Sequence, residues 1–200
     1  MKKVIENIQK ILAESIKSKN KASMIISGGS SPTRLLKRLN DIDIEWKKVS
    51  VMLLDERLVN ENNEYSNERY LKENFFKNYS KDAKYQSIRN LKIDNEIDIA
   101  ILGFGIDGHF ASIFPCHLQD NNFIDITEEP QILRTEKMGD PSVARLTMNL
   151  STFSRIKYIF IIISSEEKLD VINNAKHDCN LPIHYLLNLK YPEIKMIKDF

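Results

Sequence analysis

The stretch Ile97–Pro115, IDIAILGFGIDGHFASIFP, decides how the rest of the chain is read. It opens with an apolar run, Ile97, Ile99, Ala100, Ile101 and Leu102, short and branched enough for a strand buried on both faces. It then breaks into Gly103-Phe104-Gly105-Ile106-Asp107-Gly108-His109, which brings together three glycines, a carboxylate and an imidazole. Glycine lets a backbone turn sharply and approach a ligand closely, while Asp and His are side chains that move protons. In an open α/β sheet, chemistry sits at the carboxyl ends of such strands.

Outward from this stretch, strands and helices alternate. Towards the N-terminus, Val4, Ile5, Ile8, Ile11, Leu12 and Ile16 repeat at helical spacing and predict an amphipathic helix from about Lys3 to Lys17. Ala22–Ile26 reads as a short buried strand, Thr33–Leu39 as a helix, Val49–Leu54 as a second strand and Asn67–Phe76 as helical. Beyond the opening stretch, Ile132–Arg134 and Arg145–Met148 are weaker strand signals and Lys157–Ile163 a strong one. Helices follow at Glu166–Ala175 and Leu181–Leu187, and Cys116–Pro130 reads as a loop suited to a mobile flap. This order predicts an α/β fold, a doubly wound, mainly parallel sheet flanked by helices, in a single domain over residues 1–200.

Composition excludes several classes of function. Lys and Arg number 29 against 28 Asp and Glu, a formal charge of +1, so no bulk field invites nucleic acid or an anionic membrane. A local basic pocket for one small anion fits that balance. Two cysteines, Cys116 and Cys179, are too few for a disulfide framework. The N-terminal segment has scattered charges and no long apolar core, and no run approaches a membrane span. A cytoplasmic protein is expected.

Two further motifs carry chemistry. Ser27-Gly28-Gly29-Ser30-Ser31-Pro32 lies between a strand and a helix, where free N–H groups and hydroxyls suit phosphate, although an ordinary capped turn has the same composition. It lacks the Gly-Lys-Ser/Thr of a P-loop. Asp55-Glu56-Arg57 follows the second strand, and an arginine there can fork onto a carbonyl or phosphate oxygen, unless the triplet is a surface ion-pair cluster. Arg145 and Lys168 are further cationic candidates for an anion. Gly103–Gly108 also satisfies G-x-G-x-x-G, but it lies mid-chain, places Asp107 against a pyrophosphate and meets Pro115 early, so a dinucleotide is not expected. Asp107, His109, Cys116, His117 and Asp120 lie close in sequence but match no standard zinc spacing, and no metal is expected.

Taken together, these motifs resemble the 6-phosphogluconolactonase family, within the larger glucosamine-6-phosphate isomerase/lactonase group. The resemblance rests on Ser27–Pro32, on Leu54–Val59 with Ser66-Asn67, and most sharply on Leu102–Pro115, with fainter echoes at Pro141, Arg145-Leu146-Thr147, Glu167-Lys168 and Leu181-Pro182. It implies a modified Rossmann-like fold of the sugar-phosphate isomerase type. It also implies metal-free hydrolysis of 6-phosphogluconolactone to 6-phosphogluconate in the oxidative pentose phosphate pathway, on a small-molecule substrate, by a monomer or small homo-oligomer. On that resemblance His109 is the base that activates water, Asp107 orients it, and Arg57 stabilises charge on the carbonyl oxygen. Ser27, Gly28, Gly29, Ser30 and Ser31, with Arg145 and Lys168, would hold the phosphate. The chain departs from the family pattern at Asn60, where proline is usual, at Ser164 and Ser165, where glycine is frequent, and in its tail, Tyr191–Phe200. A glucosamine-6-phosphate deaminase would need a carboxylate soon after the histidine, and Phe110–Pro115 has none. A non-catalytic sugar-phosphate sensor would ordinarily carry an attached DNA-binding domain, for which this chain is too short.

Overall fold

The computed structural model describes residues 1–29, 31–93 and 96–200. Its central sheet has six strands in the order β4-β2-β1-β5-β8-β9, all parallel to their neighbours. These are β1 (Ala22–Ile26), β2 (Val49–Leu53), β4 (Lys84–Gln86), β5 (Ile97–Leu102), β8 (Ile156–Ile163) and β9 (Glu193–Lys198). A second, antiparallel sheet runs β3-β7-β6, from β3 (Asp55–Arg57), β7 (Arg145–Met148) and β6 (Ile132–Arg134).

β5 is buried at every position because each face meets a core. The pleat sends Ala100 and Leu102 to one side, with Phe110, Phe153 and Ile159. Ile99 and Ile101 go to the other, with Trp46, Phe75 and the inner face of helix α1 (Lys2–Lys19). The second core also takes Leu35, Leu36 and Leu39 of α2 (Thr33–Leu39) and Leu71 of α3 (Asn67–Asn74). The first is closed by α5 (Leu150–Phe153), α6 (Glu166–Ala175) and α7 (Pro182–Leu187). Helices on both faces of a parallel sheet confirm the doubly wound arrangement.

From β1 the chain moves outward to β2 and β4, then returns to lay β5 on the opposite side of β1. The carboxyl ends of β1 and β5 therefore part their loops at the point where strand order reverses, the usual place for a ligand crevice. Hydrogen bonds hold the two ends level. Ser27 N–H donates to the Ile101 carbonyl at 2.9 Å, and Gly103 N–H donates to Ser27 Oγ at 3.1 Å.

Three strands lie where no strand is legible in the sequence pattern. β3 is the charged triplet itself, β4 is a short exposed edge strand, and β9 is the atypical tail paired along β8. The expected helix at Asn67–Phe76 stops at Asn74, where Phe75 turns inward against Trp46 at 5.5 Å between ring centroids. The expected flap at Cys116–Pro130 instead holds a 3-10 turn over Pro115–Gln119 and the helix α4 (Asn121–Ile124), pinned by buried His117 and Phe123.

Since Ile101 is fully buried at the centre of the sheet, Ile101→Ala is expected to cost about 2–5 kcal/mol through lost burial and a residual cavity. Urea unfolding checks this, with the midpoint falling and the slope unchanged.

Candidate active site

The crevice holds a cavity of about 280 Å³, roofed by the loops after β1 and β5 and walled by β3 and β7. Of the residues expected to bind or react, Ser27, Gly28, Gly29, Ser31, Arg57, His109, Arg145 and Lys168 line it. Asp107 stands behind His109, and Ser30 lies outside the described residues.

The loop after β5 is a tight turn rather than the start of a helix. Gly105 N–H donates to the His109 carbonyl at 2.8 Å, and Gly108 N–H to the Gly105 carbonyl at 3.0 Å. This folds Asp107 back onto His109, with Asp107 Oδ1 2.6 Å from His109 Nδ1 and 3.2 Å from the His109 backbone nitrogen. The pair fits only over glycine, because a Cβ at Gly105 would stand 2.2 Å from His109 Nδ1. Burial works to raise the Asp107 carboxyl, but the hydrogen bond and charge of His109 hold it below the ordinary carboxylate range. Ionised Asp107 can only accept, so the Nδ1 position carries the proton and Nε2 of a neutral ring is left bare.

Ala111 and Ser112, just beyond, adopt left-handed backbone with φ of 44° and 59°. Two bonds hold this unfavourable shape: the Thr147 hydroxyl donates to the Ala111 carbonyl, and Ser112 Oγ donates to Asp55 Oδ2 at 2.5 Å. The strained pair lets the loop deliver His109 and then turn Ser112 into the cavity wall.

On β3 the two-residue alternation divides the charged triplet. Asp55 and Arg57 face the cavity, while Glu56, only 1% exposed, points to the start of α3. Glu56 Oε1 accepts the N–H groups of Arg57 (2.7 Å) and Asn67 (2.8 Å), and Oε2 accepts Glu68 N–H (2.7 Å) and Ser66 Oγ–H (3.2 Å). Burial pushes its carboxyl above the ordinary range, against these bonds, which favour the charged form. Through this clamp Asn67 meets Arg57, whose Nη1 donates to Asn67 Oδ1 at 3.0 Å and to the Tyr65 carbonyl at 2.9 Å. Asn67 also fixes the loop after β1, since a Cβ on Gly28 would fall 2.1 Å from its Cγ.

Arg57 and Arg145 are direct partners across β3 and β7. Arg145 is 4% exposed; its Nη2 donates to the Pro141 carbonyl at 3.1 Å, and its guanidinium stands over Phe114. Burial lowers its pKa, Asp55 opposes that fall, and Arg57 reinforces it. The Nε–H groups of both arginines are buried without a partner among the described residues. Two guanidiniums on one wall with donors to spare make a binding place for an anion. Lys168, in the first turn of α6, reaches the opposite side, its Nζ 3.2 Å from Ser31 Oγ, with its pKa lowered by burial.

Asp55, Asn67 and Ser112 also line the cavity and were not among the expected ligands. All three sit within quoted motifs, but Ser112 follows the histidine in an apolar run that gives no sign of its turning into the cavity. Among the described residues, no cluster of three His, Cys, Asp or Glu is arranged to hold a metal.

A family model described as glucosamine-6-phosphate isomerases/6-phosphogluconolactonase matches residues 1–93 and 80–191. Curated relatives named 6-phosphogluconolactonase include one from Helicobacter pylori, 29% identical over 94% of this chain and 88% of its own length. Another, from Neisseria meningitidis, is 30% identical over 88% of this chain and 84% of its own. The crystal structure of a 6-phosphogluconolactonase from Shewanella baltica superposes with a TM-score of 0.87 at 26% identity, covering 98% of this chain and 91% of that one. The Trypanosoma brucei enzyme, 18% identical with a TM-score of 0.78, shares the fold. The chain belongs to the glucosamine-6-phosphate isomerase/6-phosphogluconolactonase family.

Proposed function

We propose that this chain is a single lactonase domain that hydrolyses 6-phosphogluconolactone to 6-phosphogluconate. The observation that carries the proposal is the Asp107–His109 pair, set at one cavity with Arg57, Arg145 and Lys168. The names of its relatives point to the same reaction.

In this reading His109 Nε2 removes a proton from water, and the hydroxide oxygen bonds to the lactone carbonyl carbon. Asp107 holds the ring in the tautomer that leaves Nε2 free and favours the imidazolium that forms. The carbonyl electron pair moves onto its oxygen, where Arg57 meets the developing charge. Collapse of the tetrahedral intermediate breaks the ring C–O bond, and the imidazolium returns its proton to the departing oxygen. The phosphate is held by the Ser27–Ser31 loop with Arg145 and Lys168, which fixes the lactone against the base. No step calls on a metal. No described helix is long and apolar enough to cross a membrane. We place the protein in the cytoplasm, as a monomer or small homo-oligomer acting on a small sugar-phosphate lactone.

Purified protein is expected to accelerate lactone hydrolysis above the spontaneous rate with a chelator present, and to release no ammonia from glucosamine 6-phosphate. His109→Ala should lower kcat by about 10²–10⁴-fold. Full activity in that variant sinks the assignment of the base.

Asp107→Asn keeps the shape of the pair but can present its amide to Nδ1, favouring the wrong tautomer. Its kcat is expected to fall by roughly tenfold or more with a stable fold, as a stopped-flow pH assay of lactone hydrolysis would register.

A further inference from the structure

Phe114 touches two working side chains at once. The His109 ring is stacked on it, with 4.5 Å between centroids and 25° between planes. The Arg145 guanidinium carbon stands 5.4 Å from the same centroid. Asp107 grips the His109 ring at Nδ1 alone, its other bond being to the backbone N–H, and leaves the ring free to roll about that contact. The face of Phe114 removes the roll, so the direction of Nε2 depends on Asp107 and Phe114 together. Arg145 has anchors of its own at the Pro141 carbonyl and Ser112 Oγ.

Phe114 is in turn held by His117. The Phe114 N–H donates to His117 Nδ1 at 3.1 Å, and the His117 N–H donates to the Phe114 carbonyl at 2.9 Å. The His117 ring is 8% exposed and lies face to face with Phe123 of α4, at 4.0 Å and 6°. Its position is therefore fixed from the far side of the loop. Accepting at Nδ1 requires a neutral imidazole protonated at Nε2. Burial favours that form, lowering the His117 pKa against the pull of Asp120. Neither a surface histidine nor a metal ligand would be spent in this way.

We infer that His117 is a positioning residue for the reaction: its Nδ1 locks the Phe114 backbone, and through the Phe114 ring it sets the plane of His109. The inference rests on His109 being the base, as proposed above. Two substitutions separate hydrogen bonding from packing. His117→Phe keeps an aromatic ring against Phe123 but has no acceptor for Phe114. His117→Asn loses the ring but places an amide oxygen close to where Nδ1 stood.

The test compares kcat and KM for the lactone in wild type, His117→Phe, His117→Asn and His109→Ala, with the melting temperature of each. It also follows the His109 Hε1 proton by NMR, assigned by its absence in His109→Ala. His117→Phe is expected to lose roughly tenfold or more in kcat while KM stays within about twofold, since a misplaced catalytic group costs rate before binding. Its His109 Hε1 resonance should move downfield as the Phe114 ring current is lost. His117→Asn should recover most of the rate and the resonance despite its poorer packing. Wild-type kcat in His117→Phe, an unmoved resonance, or rate losses in both variants that follow their melting temperatures would each overturn the inference. If His109→Ala keeps its activity, the base assignment fails, and the resonance still reports whether His117 sets the ring plane.

Discussion

Everything in the crevice depends on how the ends of β1 and β5 are tied at Ser27. Its amide donates to the carbonyl of Ile101 and its hydroxyl accepts from the amide of Gly103, so one residue satisfies backbone groups that the end of a parallel sheet leaves open. The tie fixes the height of two loops that share no sequence neighbourhood. One carries the serine–glycine turn and the other carries Asp107 and His109. The register beneath it, Ile25 opposite Ala100 and Ile26 opposite Ile101, is secured by burial on both faces. A slip of one residue would turn each of these side chains into the wrong core.

A second tier of order comes from two buried carboxylates. Glu56 collects four donors from β3 and the start of α3, and Asp55 takes the hydroxyl of Ser112. Burying a carboxylate is costly unless it is well bonded, so these groups act as fixed joints, each with few alternative partners. Through them α3, β3 and the loop after β5 become parts of one frame around the cavity, although each element alone is short.

Much of this frame was legible in the residues. The buried strands of the central sheet announce themselves by branched apolar runs, and the glycine–carboxylate–histidine cluster can be recognised because such residues have little other use together. What stayed hidden followed physical lines. β3 is a strand because β7 offers it a partner, and three consecutive charges carry no apolar period that would reveal this. β9 pairs along β8 at the exposed edge, so its outward side chains, such as Met196, dilute the alternation. Ser112 reaches the cavity only because two residues take left-handed backbone, a choice enforced by Thr147 and Asp55 from other strands. His117 stands in the sequence only as one of five neighbouring side chains that match no zinc spacing, and its stacking on Phe123 emerges only in the fold.

The facing arginines of β3 and β7 bear on the way a reaction cycle ends. Opening a lactone creates a carboxylate, so product departs with one more negative charge than substrate brought in. In the proposed reaction the wall of Arg57 and Arg145, with Lys168 lining the same cavity, would attract that extra charge as well as the phosphate. Asp55, on the same wall and hydrogen-bonded to Ser112, repels it. On that proposal the grip that assembles the reactants would also slow release, and the buried aspartate is the negative group set beside it.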